Sequence, residues 1–250
     1  MAGLTFSSAP VARVRELLRS SSARTAEGVF VVEGPTLIYE ALASDLVVEA
    51  VYVPTGSLDF RNTAARFECG DGVIERVSTT VSAQPVLAIV RVPSIEIPPD
   101  STMAVWCEEI NDPGNLGTIV RAAEAAGADA VALSHGSVDP WNPKVVRAAA
   151  GSLFRMPVVR NTEVRSSQLP GRWLATVMCD GVPLDQVDLV RPFTVMMGNE
   201  AHGLSDQSSA ACHERVMIPM AGAAESLNVA MAATIVLFES ARQRRVARAE

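Results

Sequence analysis

Met103-Ala-Val-Trp-Cys-Glu-Glu-Ile-Asn-Asp-Pro-Gly-Asn-Leu-Gly-Thr-Ile-Val-Arg121 decides how this chain is read. Its opening run, 103–108, has the length and apolar content of a buried strand. Pro113 and Gly114 turn the chain directly after it, and 117–126 follows with helical spacing. A strand passing through a tight turn into a helix is the first half of a βαβ unit. The pattern continues with a strand at 130–134, a helix at 143–150, and short strands at 156–159, 172–178, 193–197 and 216–218. A long helix over 226–244 closes the chain. Strands alternating with helices imply a parallel sheet with crossover connections. Ligands of such sheets sit beyond the carboxyl ends of the strands, which directs attention to the loops 111–116, 198–204 and 219–225.

Upstream, Arg91-Val-Pro-Ser-Ile-Glu-Ile-Pro-Pro-Asp-Ser101 contains Pro93, Pro98 and Pro99, which exclude both helix interior and central strand. It reads as a linker and divides the chain into a first domain over 1–92, a connection over 93–101 and a second domain over 102–250. The first domain reads as a small mixed α/β unit. Helices are expected at 11–18, 34–42 (apolar at Leu37, Ile38, Ala41 and Leu42) and 62–67, and strands at 28–32, 47–53 and 73–77. A fragment beginning near Ser101 is expected to fold alone. No internal repeat or low-complexity tract interrupts either part.

Composition bounds the function. The 250 residues are 48% hydrophobic, enough for a core, and carry a net charge of −7. That argues against a general nucleic-acid binder, although a local basic stripe remains compatible with it. Lys144 is the one lysine, an arginine bias that suits bidentate phosphate contacts and equally fits a GC-rich genome. Cys69, Cys107, Cys179 and Cys212 form no CxxC, and His135, His202 and His213 lack ligand spacing. No metal site is expected, and reduced thiols in a cytoplasmic protein are the default reading. The N-terminus lacks a charged stretch followed by an apolar run, so no signal peptide is read, and the apolar stretch 229–238 is too short for a membrane span.

Three loops contain the candidate chemistry. In the first, Gly117 starts a helix whose free amides face the strand end, and Arg121, one turn inside it, is placed to grip a phosphate. The same residues also read as a turn asparagine and a surface arginine. In Val195-Met-Met-Gly-Asn-Glu-Ala-His-Gly-Leu204, Gly198 lets backbone approach a ligand closely. Glu200 either accepts a hydrogen bond from a ligand or caps the helix near Ser205, and His202 is read as solvated. In Ile218-Pro-Met-Ala-Gly-Ala-Ala-Glu-Ser-Leu-Asn-Val-Ala-Met231, Ser226 reads as the N-cap. Asn228 is a polar amide in the first turn of an apolar helix, where it needs partners.

Together these segments resemble the motifs of the SpoU (TrmH-like, SPOUT) methyltransferases. N-x-P-G-N-x-G…R is met by Asn111, Pro113, Gly114, Asn115, Gly117 and Arg121. G-N-E-x-x-G-L is met by Gly198, Asn199, Glu200, Gly203 and Leu204. I-P-M-x-G…S-L-N-V-A is met by Ile218, Pro219, Met220, Gly222, Ser226, Leu227, Asn228, Val229 and Ala230. Lys144-Val-Val-Arg-Ala-Ala-Ala-Gly-Ser-Leu-Phe154 resembles the family segment between the first two motifs. Ser22-Ala-Arg24, Gly28-Val-Phe-Val-Val-Glu-Gly34 and Glu40-Ala-Leu42 resemble its substrate-binding domain, a small fold akin to ribosomal RNA-binding proteins. Gln84-Pro85-Val86 departs from the Pro-Gln-Gly of many members.

The resemblance implies an α/β protein whose parallel-sheet C-terminal domain contains a deep trefoil knot, a device that ordinary topology rules would not suggest. It also implies a homodimer with the site at the interface and S-adenosylmethionine in the knot loops, contacted by Gly198, Ile218, Met220 and Leu227. Asn115, Arg121, Glu200, Ser226 and Asn228 receive the catalytic and substrate roles. The implied reaction moves a methyl group to a ribose 2′-hydroxyl of structured RNA, ribosomal RNA foremost. A guanidinium is a poor base, so anchoring phosphate and stabilising alkoxide charge suit Arg121 better than proton abstraction. Ser226 and Asn228 would orient the hydroxyl. Transfer RNA as substrate, base methylation by a knotted enzyme, and a catalytically silent RNA-binding protein remain open, as does a small-molecule enzyme on a nucleotide-binding sheet.

Overall fold

The computed structural model describes residues 3–57, 60, 63–79, 84–166 and 168–249. The elements begin with α1 (Ala9–Arg19), α2 (Ser21–Glu27), β1 (Val29–Glu33), α3 (Pro35–Ala43), β2 (Val48–Pro54), β3 (Ala65–Cys69), α4 (Val73–Val77) and β4 (Leu87–Arg91). They continue with β5 (Met103–Cys107), α5 (Pro113–Ala126), β6 (Ala130–Leu133), α6 (Pro143–Ala149), β7 (Val158–Val159), β8 (Arg172–Val177) and β9 (Val182–Pro183). The last are β10 (Phe193–Met197), α7 (Asp206–Ala211), β11 (Glu214–Met217) and α8 (Val229–Ala247).

Contacts divide the chain into two units. One holds the residues up to Ser94 together with Asp139–Phe154, and the other holds Ile95–Val138 and the chain from Arg155 on. The break at Ser94 falls in the proline-rich segment, but α6 and its flanks, read from sequence as part of the second domain, belong to the first unit. The cause is a buried ion pair and an aromatic contact. Arg24 donates from Nε and Nη2 to Asp139 at 2.9 and 2.6 Å and from Nη1 to the Leu17 carbonyl at 2.6 Å, and both charged side chains are nearly sealed from solvent. Phe30 of β1 packs against Trp141 with ring centroids 4.8 Å apart. Glu33 adds a second link, accepting from Arg147 at 3.1 Å.

In the first unit the sheet order is β1-β4-β2-β3, antiparallel except for the parallel β2–β3 pair. Two expectations are overturned here. Of the helix expected over 62–67, residues 65–67 lie in strand β3; its alternation is masked by charged residues, and Phe67 stacks on Tyr52 of β2 at 5.1 Å. The strand expected over 73–77 is α4. Val73, Ile74 and Val77 recur at helical spacing and enter the core beside Val11, Val14 and Leu18 of α1, so spacing outweighs their β-branching. Strand β4 and helix α2 were not anticipated.

The second unit is a seven-stranded, wholly parallel sheet in the order β7-β6-β5-β10-β8-β11-β9. Strand β10 is buried throughout, as the central strand of a two-sided sheet must be. One face packs Trp106 and Trp173 edge to face at 5.8 Å, with Trp106 donating to the Thr162 carbonyl at 2.9 Å. Helices α5 and α8 pack together. Because every strand points the same way, the ends of β5, β10, β8 and β11 open onto one edge. No described helix is long and apolar enough to cross a membrane.

Candidate active site

The loops after β5, β10, β8 and β11 surround that edge, and each is shaped by its own sequence. Asp112 caps α5 by accepting from the Asn115 amide at 2.8 Å, with Pro113 in the first turn. The helix therefore starts four residues earlier than the sequence reading places it, and Gly117 is a buried interior residue. In the loop after β10, Asn199 and Gly203 exchange backbone hydrogen bonds, both 2.9 Å. A side chain at Gly198 would put its Cβ 2.2 Å from the Gly203 carbonyl carbon and 2.3 Å from the Leu204 nitrogen, so only glycine permits this closure. The Asn199 side chain donates to the Glu109 carbonyl at 2.9 Å and accepts from the Ala201 amide at 2.8 Å. Glu108 holds the far end of the loop by accepting from Ser205 N, Ser205 Oγ and Ser208 Oγ at 2.8, 2.7 and 2.6 Å.

Three motif residues meet in one polar relay. Glu200 Oε1 accepts from Asn115 Nδ2 at 3.0 Å and from the Asp112 amide at 3.4 Å. Asn115 Oδ1 accepts from Asn228 Nδ2 at 2.9 Å. Asn228 Oδ1 accepts from the amides of Ala230 and Met231 at 2.9 and 3.3 Å. A carboxylate can only accept and a backbone amide can only donate, so the two asparagine amides are oriented without ambiguity. Asn228, not Ser226, is the N-cap of α8, which begins at Val229. Glu200 is no cap either; Ser205 performs that role for α7.

The relay stands at the rim of a cleft of about 670 Å³, within the usual size range of small-ligand sites. Gly198, Glu200, Ile218, Met220, Ser226, Leu227 and Asn228 all line it. Asn115 reaches it only through its two partners. Arg121 does not line it. Six residues beyond Asn115, it lies about 120° away around α5, exposed and without an ion pair or side-chain hydrogen bond among the described residues. Sequence reasoning missed the contribution of β8: Thr176, Val177, Met178 and Cys179 also line the cleft, as do Arg215 and His202. Their signal was position at the end of a parallel strand rather than a motif. Cys179 is exposed, unlike the buried thiols expected, whereas Cys107 is sealed and burial pushes its thiol up to about 12.

The residues present fit a cofactor that carries a flat ring with hydrogen-bonding edges. Val177, Ile218, Leu227 and Val229 offer an apolar slot for a ring. Residues 218–227 make no backbone hydrogen bond among the described residues, so their amides and carbonyls are open to a ligand edge.

Comparison with known proteins agrees with this geometry. The SpoU rRNA Methylase family model matches residues 102–238, and the MRM3-like substrate binding domain matches residues 11–88. A 23S rRNA guanosine 2′-O-methyltransferase of Bacillus subtilis is 31% identical over 228 residues, covering 88% of this chain and 92% of its own. The SpoU methyltransferase AviRb of Streptomyces viridochromogenes, solved with the cofactor AdoMet, superposes with a TM-score of 0.85 at 29% identity over 95% of this chain and 98% of its own. An AdoMet-bound rRNA methyltransferase of Sinorhizobium meliloti gives 0.82 at 29% identity over 97% of each chain. This chain belongs to the SpoU rRNA methylase family.

Proposed function

We propose that this protein is an S-adenosylmethionine-dependent methyltransferase acting on a ribose 2′-hydroxyl of ribosomal RNA. The observation that carries the reading is the Glu200–Asn115–Asn228 relay, which ties the three motif loops together at the mouth of the cleft. The bound cofactor would supply a methyl group already activated on a sulfonium. Gly198, Ile218, Met220 and Leu227 would hold it, the glycine by close backbone approach and the others by apolar contact. Asn228 and Ser226, on the cleft wall, orient the ribose oxygen, and alignment alone can provide a large share of the acceleration. The guanidinium of Arg121 grips the adjoining phosphate and stabilises charge on the oxygen as its proton leaves.

Arg121 lies outside its own cleft, and on this reading a second copy of the chain presents it. Met231, Ile235 and Phe238 support that homodimer: they are 58%, 38% and 48% exposed and recur at helical spacing on α8, an apolar stripe beside α5 that calls for cover. The family's trefoil knot belongs to the same reading, supported by the flanking of β10 by β5 and β8 and by the loops after β10 and β11 lining one cleft. The first unit would hold the RNA.

The test joins calorimetry with labelled methyl transfer to protein-free large-subunit ribosomal RNA, followed by nuclease digestion. Binding of S-adenosylmethionine and label on a ribose are expected. No binding at millimolar cofactor by folded protein would sink the enzyme reading. Label on a base, or transfer to transfer RNA in preference, would replace the substrate assignment. Arg121→Ala should abolish transfer with cofactor affinity nearly intact. Mixing it with a Leu227→Ala chain should restore activity in heterodimers, and no recovery above the parent variants would refute the shared site.

A further inference from the structure

We infer that Arg15 and Arg76, stacked on Phe6, form a contact site for the sugar-phosphate backbone of the substrate RNA, with Arg19 at its edge; the inference rests on the RNA reading above. The guanidinium carbons lie 4.2 Å and 3.9 Å from the centroid of the Phe6 ring. The ring is anchored. Leu4 extends the sheet beyond β3, donating to the Glu68 carbonyl at 2.7 Å and accepting from Gly70 at 2.9 Å. Phe6 packs against the core of the first unit. Two arginines that would otherwise sample many rotamers are thus held in place before any ligand arrives, which lowers the ordering cost of binding.

The distribution of charge isolates this place. In the first unit, Arg13, Arg24, Arg66, Arg91 and Arg147 are each in an ion pair. Among the described arginines of that unit, only Arg15, Arg19 and Arg76 have no acidic or hydrogen-bonding side-chain partner. All three gather together: Arg15 and Arg19 are one turn apart on α1, and Arg76 is on α4, which packs against α1. Glu16 and Glu75 adjoin them in the chain without pairing to them. Stacking occupies the faces of the guanidinium planes and leaves in-plane N–H groups for oxygen acceptors. The Nε of Arg15 is shielded and unpaired, so its terminal nitrogens are the ones offered. A chain of net charge −7 needs such a concentrated cationic spot to hold a polyanion, and the matched substrate-binding domain spans both arginines.

The experiment uses the full chain and protein-free large-subunit ribosomal RNA in a salt titration. Arg15→Gln/Arg76→Gln should weaken binding about tenfold and flatten the log K against log salt slope by about 2, with S-adenosylmethionine affinity unchanged. Arg15→Lys/Arg76→Lys should recover the slope. Should the double variant fail to fold, Arg76→Gln alone, at an exposed position, should flatten the slope by about 1. Unchanged RNA affinity and slope in the Gln variants, while the wild-type chain still methylates that RNA, would overturn the site and leave the enzyme reading standing. Loss of polyglutamate binding without loss of RNA binding would assign the patch to an acidic protein and also overturn it. A wild-type chain that binds neither cofactor nor RNA would instead bring down the enzyme reading, and this site with it.

Discussion

Replacing Asn228 by aspartate separates two tasks that one side chain performs. Its Oδ1 caps α8 through the Ala230 and Met231 amides, and its Nδ2 donates to Asn115. Aspartate keeps the cap and places a negative charge at a helix N-terminus, where it is favoured. Asn228→Ala loses the cap, at a cost of about 1 kcal/mol. Both variants lose the bond to Asn115, but only Asn228→Ala also loses the cap, so Asn228→Asp should melt above Asn228→Ala. The relay behaves in the opposite way. In Asn228→Asp, the Asn115 amide stands between two carboxylates and has one NH2 group to face them. If it keeps its bond to Glu200, its oxygen opposes the introduced carboxylate; if it flips, its oxygen opposes Glu200. Either arrangement loses one hydrogen bond and creates an acceptor–acceptor contact near 2.9–3.0 Å. Hydrogen bonds to charged groups contribute about 1.5–3 kcal/mol, and that loss at the reacting geometry lowers the rate about 10–100-fold. The assay is initial-rate transfer of labelled methyl to ribosomal RNA beside thermal melting. A rate within about threefold of wild type would refute the relay's role in positioning, since about 0.65 kcal/mol is then all it contributes. Melting of Asn228→Asp as low as Asn228→Ala would refute the cap assignment.

Gly198→Ala should lose S-adenosylmethionine binding by more than about a hundredfold, because its Cβ meets backbone at 2.2 Å and forced overpacking costs about 1–3 kcal/mol or more; cofactor titration near wild-type affinity would contradict the closed loop. Asp139→Ala should destabilise the first unit by about 3–5 kcal/mol, the usual result of stranding one buried charge, seen as a lower urea midpoint. A fragment beginning near Ser101 lacks Arg24 and Phe30, which cover Asp139 and Trp141, and should be poorly folded, contrary to the expectation from the proline-rich segment; a sharp cooperative melt of that fragment would argue otherwise. Stability should fall as pH rises from about 9 toward 12, because Cys107, with its folded value near 12 against an ordinary thiol value of 9.0, keeps its proton while the unfolded chain gives its own up. The slope should approach about −1.4 kcal/mol per pH unit from this group, and urea titrations of Cys107→Ala should be flatter over that window.

Much of the second unit is legible in local pattern. Phe193–Met197 is strand β10 with the bounds expected, whereas Pro113 and Gly114, read as a turn, form the first turn of α5 behind the Asp112 cap. The motif residues converge because a parallel sheet gathers its strand ends, which needs no knowledge of pairing order. The less legible parts depend on partners distant in sequence. Asp139–Phe154 joins the first unit through Arg24, more than a hundred residues away, and no local signal announces that. Val73–Val77 is short enough for β-branched composition and helical spacing to point in opposite directions, and only its packing on α1 decides between them. Ser226 is a better N-cap by composition than by position. Asn228 takes the role because it can cap and donate to Asn115 at once, a double duty visible only when both loops are in place.

That double duty also bears on where the reaction's cation comes from. Glu200, Asn115 and Asn228 use much of their hydrogen-bonding capacity on one another, which makes the relay a rigid wall rather than a source of charge. The single arginine lining the cleft among the described residues, Arg215, projects from β11, beside the strand ends rather than on the motif helix. Arg121 is on α5, the helix whose first turn is fixed by Asp112 and whose Asn115 is locked into the relay. Its direction is therefore set by the same bonds that hold the cleft wall. It is turned about 120° away from Asn115 around that helix, outside its own cleft. On the proposed reading, a dimer brings the Arg121 guanidinium to each reacting ribose, and the relay in one chain holds both its own wall and the helix that carries its partner's cation.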